Sequence, residues 1–175
     1  VRSRGLGDVY KRQVSACTLK TISPLIIIND RTEPQTQNTQ VRLNQSSVPM
    51  SIELTNGGIT IAGQAFEYDR LIISPDDPYV FNLNGNDYRG KLKVIVNPDG
   101  TSFDVINMVP PEPYLAGVVG AEMPSYWEPE ALKAQTIAAR TYCFYIKKRF
   151  GANREWDMKQ TEAHQVYRGL AVESV

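Results

Sequence analysis

The chain has 175 residues, 19 Lys plus Arg against 19 Asp plus Glu, and 42% apolar side chains. That is enough to bury a core in one domain or two small ones. No run of eighteen apolar residues occurs, so the sequence offers no membrane-spanning helix. Two cysteines are too sparse for a disulfide framework.

The first thirteen residues are set apart from the fold. Asp8 to Gln13, "DVYKRQ", back-translates as GAT GTG TAT AAG AGA CAG, which resembles a transposon-end adapter used in sequencing libraries; such segments are excluded from fold reasoning. They carry Arg2, Arg4, Lys11 and Arg12 against Asp8, so the remaining 162 residues hold 15 basic and 18 acidic side chains. A weakly acidic domain lacks the clustered cations that drive binding to phosphate backbones, and nucleic acid is not an expected partner.

Next comes "VSAC", which resembles the lipobox of bacterial lipoproteins and makes Cys17 a candidate for acylation; the alternative is a chance match inside an apolar segment reaching "SPLIIIN". Between Asp30 and Gln40 there is no apolar residue, and such a stretch cannot bury enough surface to offset its ordering entropy. Residues 14–40 are therefore expected to be a lipobox-like segment and polar tether.

From Val41 the pattern changes to short apolar or alternating runs. Val41–Asn44, Met50–Thr55, Ile59–Ala62, Arg70–Ile73, Tyr79–Leu83, Lys91–Val96 and Phe103–Met108 favour strand. Asn56-Gly57-Gly58, Asn84-Gly85-Asn86 and Pro98-Asp99-Gly100 separate them, supplying the positive φ that hairpin turns need. Residues 41–109 thus read as an antiparallel β region with no visible chemistry.

Beyond Pro110 the chain turns helical. Tyr114 to Val119 suit a short helix ending near Gly120. Pro129 opens a longer one, with Glu128 and Glu130 at the positive end of its dipole and Lys147, Lys148 and Arg149 at the negative end before Gly151. Leu132, Ala139, Cys143, Ile146 and Phe150 form its apolar stripe, with Cys143 a small buried side chain. Lys133, Arg140 and Lys147 recur every seven residues, about 10 Å apart on one face. They suit either a solvated surface or a cationic cleft. Glu122, just ahead of this helix, suits either a dipole-stabilising residue or a partner for Lys133 or Arg140.

"YLAGVVGAEMPSYWEPEALKAQTIAARTY", residues 114–142, resembles the signature of the stage II sporulation protein D and amidase-enhancer family, and "TEAHQVYRG", residues 161–169, is similar to a later segment of it. Pro113 stands where an acid is common, and Thr136 replaces a frequent alanine. The resemblance covers roughly residues 41–175. It implies an α+β chain: an antiparallel β region, then in residues 110–175 the helical first part of a domain that continues in relatives, leaving apolar surface exposed.

The resemblance also implies an extracytoplasmic place and a peptidoglycan substrate. Some relatives are lytic transglycosylases, with the acid of the "EMP" motif, here Glu122, as the catalytic carboxylate and Lys133 and Arg140 as cleft cations. Others enhance a partner amidase without cutting glycan. Ordinary glycosidases need two carboxylates. A transglycosylase needs one, because the muramic acid C6 hydroxyl replaces water; that acid should be partly desolvated to hold its proton. No cofactor is expected. His164 is the only histidine and has no cysteine beside it, so no metal site is expected. Tyr126, Trp127 and Trp156 suit sugar stacking or core packing.

Overall fold

The computed structural model describes residues 6–30, 40–44, 46–55, 58–151, 154–160 and 164–173, without the side chains of residues 6–13 and 46–47. The expected tether, residues 31–39, and the Asn56-Gly57 turn lie outside the described residues.

Among the described residues the strands form two sheets. The first runs in the order β13 (Met158–Lys159), β1 (Leu6–Val14), β12 (Phe103–Val109), β11 (Lys91–Val96), β8 (Arg70–Pro75), β3 (Leu25–Asn29), β4 (Gln40–Leu43). The second runs β10 (Asn86–Arg89), β9 (Val80–Leu83), β2 (Ala16–Thr21), β5 (Ser46–Thr55), β6 (Gly58–Ile61), β7 (Gln64–Phe66). Period-two alternation turns Leu25, Ile27, Leu71, Ile73, Leu92, Val94, Phe103 and Val105 of the first sheet inward. Leu19, Ile52, Ile59, Ile61, Phe81 and Leu83 of the second join the same buried cluster. The pairs are antiparallel except β1 with β13. Asn84 and Gly85, at φ of 49° and 90°, make the two-residue turn between Leu83 and Asn86 that their sequence predicts.

Two expectations about the N-terminal part are corrected. Residues 1–13 were set outside the fold, yet the backbone from Leu6 to Val14 pairs antiparallel with β12. Strand pairing is made by the main chain, so an open sheet edge accepts any segment able to extend. Residues 14–40 read from the sequence as a lipobox-like segment and polar tether, yet within them "ACTLKT" alternates exposed and buried through β2, and β3 follows directly. Cys17, 6% exposed, is packed in the common core, and burial pushes its thiol up to about 12.

After β12 come α1 (Pro111–Glu122) and α2 (Pro129–Phe150), each with proline in its first turn, where the missing amide is harmless. α1 runs past Gly120, the expected stop. Gly120 is there for a close approach: a Cβ would lie 1.9 Å from the Val172 carbonyl oxygen, and one at Gly117 would lie 2.5 Å from the Tyr167 ring. The segment carrying "QVYRG" lies against that face. Tyr167 packs between Tyr114 of α1 and Tyr88 of β10, with centroids at 5.2 and 6.0 Å. Gln165, buried, accepts from the Tyr114 hydroxyl at 3.0 Å and donates to the Ala139 carbonyl of α2 at 3.2 Å. One amide therefore fixes the spacing of both helices.

On α2 the expected stripe is buried at Ala139, Cys143 and Ile146 and half-buried at Leu132 and Phe150. Ile137 and Phe144 on other faces remain 62% and 47% exposed. Among the described residues no helix is long and apolar enough to cross a membrane.

Candidate active site

A groove of about 270 Å³ lies between the two helices, lined by Glu112, Leu115, Ala116, Val119 and Gly120 of α1 and by Leu132 and Thr136 of α2. Its volume is at the small end of ligand sites. Two polar pairs join the helices beside it. Gln135 Nε2 donates to Glu122 Oε2 at 2.8 Å. Arg140 donates to both oxygens of Glu112, at 2.9 and 2.7 Å.

Glu122 is the last residue of α1, three positions beyond Val119 and so on the groove side of the helix. It does not stand at the entry of α2, as its place in the sequence suggests; Met123 to Glu128 intervene. Nor do the cations converge on it. Lys133 pairs with Glu130 one turn earlier at 2.7 Å, and Lys147 with Asp157 at 3.4 Å. The seven-residue spacing sets these cations along one side of α2, while Gln135, two positions and about 200° from Lys133, faces Glu122. The expected desolvation is also missing, since Glu122 is exposed. Tyr126 and Trp127, on the loop between Glu122 and α2, are exposed.

Gln135 and Glu112 escaped sequence reasoning. Gln135 carries no charge to draw attention, and Glu112 sits one residue before Pro113, where an acid was sought and not found. Glu112 and Glu122 are ten residues apart on one helix, about 15 Å along its axis. That is wider than the roughly 5–9.5 Å of paired glycosidase carboxylates, so the two cannot serve as such a pair.

His164 Nδ1 accepts from the Lys159 amide at 3.1 Å, and burial, with Lys159 and Arg154 nearby, holds the imidazole below its ordinary range. Among the described residues no group of three or more potential ligands is placed to hold a metal. Trp156 lies over Ile95 and Ile106 on the outer face of the first sheet, away from the groove.

Residues 99–175 match the family profile described as stage II sporulation protein. The segment from residue 99 to residue 175 belongs to the stage II sporulation protein D family. The chain is 39% identical over 71 residues to a stage II sporulation protein D of Bacillus amyloliquefaciens, covering 39% of this chain and 21% of the relative. It is 32% identical over 124 residues to an amidase enhancer of Bacillus subtilis, covering 69% of this chain and 17% of that protein. An uncharacterized protein of Brachyspira hyodysenteriae is 40% identical over 89 residues, 51% of this chain and 24% of its own. The chain thus spans less than a quarter of the length of these relatives. No solved structure matches it. Within this stage II sporulation protein D domain, Gly117, Gly120, Gln165 and Tyr167 hold the helices together, and Glu122 with Gln135 faces solvent at the groove.

Proposed function

We propose that the chain acts on bacterial peptidoglycan outside the cytoplasmic membrane, as a lytic transglycosylase with Glu122 as its single general acid and base. The observation that supports this most is the exposed Glu122 carboxylate, which accepts a hydrogen bond from Gln135 and is followed in the chain by the exposed rings of Tyr126 and Trp127. Sugar faces stack on such rings, and a glycan strand lying across them would exclude water from Glu122, supplying the dry surroundings that the free chain lacks. Glu122 gives its proton to the glycosidic oxygen as the C–O bond breaks. The muramic acid C6 hydroxyl then attacks the anomeric carbon and returns a proton to Glu122, closing the anhydro ring. Lys133 and Arg140 serve in this reading as binders of substrate carboxylates, once released from Glu130 and Glu112. Anchoring through an acyl chain on Cys17 would require β2 to leave the sandwich.

The test is release of anhydromuramyl products from denuded glycan by a full-length protein carrying this domain. Glu122→Gln should abolish it, and unchanged release would remove the proposal.

A second reading, an enhancer that binds peptidoglycan and stimulates an N-acetylmuramoyl-L-alanine amidase, is supported by the 69% of this chain that aligns with the amidase enhancer. Product analysis with and without added amidase separates the two. Glycan products that appear only as a consequence of amidase action would favour the enhancer.

A further inference from the structure

Past the end of α2 the chain builds a second surface feature. The Arg154 guanidinium lies over two rings at once, 4.8 Å from the Phe150 centroid and 4.6 Å from that of Trp156. On one side Arg149 lies over Tyr145 and Phe150 at 5.8 and 5.4 Å; on the other, the Lys159 ammonium lies 5.3 Å from Trp156. A guanidinium lying on a ring keeps its in-plane N–H donors directed away from it, where they match a carboxylate or phosphate; Arg149 gives one of its own to the Tyr145 hydroxyl. Among the described residues no carboxylate pairs with Arg149, Arg154 or Lys159. The neighbouring acids are taken: Glu155 by Arg70 and Lys93, and Asp157 by Lys147. His164, held below its ordinary range partly by Lys159 and Arg154, registers the positive potential there.

We propose that Arg154, stacked on Phe150 and Trp156 and flanked by Arg149 and Lys159, is a binding site for the carboxylates of peptidoglycan, separate from the Glu122 groove. Along α2, Arg149 is fourteen residues from Gln135, about 21 Å, so one glycan strand can meet both places. Cations alternating with rings suit a polymer in which carboxylates recur between sugars. A phosphodiester chain, with its denser charge, calls for clustered cations instead. The inference rests on the peptidoglycan reading above but uses none of the residues assigned to catalysis.

It is tested by co-sedimentation of the protein with purified sacculi, with sacculi whose carboxyls have been amidated, and by competition with soluble polyphosphate. Amidation and Arg154→Gln should each weaken binding about tenfold, the size of one charge-assisted contact. Arg154→Lys, which keeps the charge without the stacked fork, should not restore it, while Glu122→Gln should still sediment. Binding indifferent to amidation or to Arg154→Gln overturns the inference, as does preference for polyphosphate over sacculi. Sacculus binding lost in all forms with anhydro products still released overturns it and leaves the catalytic reading standing. Arg154-dependent binding without any products does the reverse.

Discussion

Gln135 reaches across the helix pair to Glu122 with a 2.8 Å hydrogen bond, joining the two helices at an exposed carboxylate. A single donor on one oxygen fixes the direction of the other, and a misdirected acid loses its reach to the glycosidic oxygen. On the transglycosylase reading, in which Gln135 orients the acid and does not hold sugar, Gln135→Leu should lower kcat for anhydro-product release about tenfold with KM nearly unchanged. Steady-state kinetics on denuded glycan chains would show it; a rise in KM alone would make Gln135 a substrate contact.

Gly120 tests the packing of the "QVYRG" segment. A methyl group there would stand 1.9 Å from the Val172 carbonyl oxygen, a backbone atom unable to rotate aside. Gly120→Ala should destabilise the chain by about 1–3 kcal/mol, measured by urea denaturation, although alanine is the better helix former. A neutral or stabilising result would mean that the segment does not lie against α1.

His164 gives the stability a pH dependence whose sign is fixed. Burial first, then Lys159 and Arg154, lower its folded pKa beneath the ordinary 6.5. Between those two values the unfolded chain binds more protons than the folded one, so stability is full above 6.5 and falls as the pH drops toward the folded value. Protonation at Nδ1 would also remove the acceptor of the Lys159 amide. As the only histidine, it can be isolated: His164→Gln should flatten the fall in urea midpoint between pH 7 and pH 5.5. An equal slope in both proteins would assign the effect to other groups.

Cys17 separates the two uses of the N-terminal segment. Packed between the sheets, with a thiol pushed up to about 12, it should resist a disulfide reagent at pH 8 in the folded chain and react on denaturation. Mass spectrometry of the labelled peptide reads this directly. Immediate labelling would restore the exposed cysteine that a lipobox requires.

Much of the architecture was legible because local pattern and tertiary role coincide. β11 follows its predicted bounds to the residue, and α2 begins at Pro129 and ends before Gly151 as its dipole-matched charges imply. "ACTLKT" carries a period of two that marks a strand, while the "VSAC" pattern overlapping it matches a chemical motif; in the fold the alternation decides. Gly120 was read as a stop because glycine ends many helices; here it makes room for a chain segment some fifty positions away, which no local window contains. The site was legible in part for the same reason. Glu122 stands out by residue type, whereas its partner is decided by how two helices cross, and that crossing is set by Gln165 and Tyr167.

That dependence gives the site an order of assembly. Tyr114 and Ala139 leave the ribosome well before Gln165, so both helices exist as nascent chain without the buried amide that holds them in place. The Glu122 carboxylate therefore stays unaligned until that glutamine, emerging after both helices, closes the clasp.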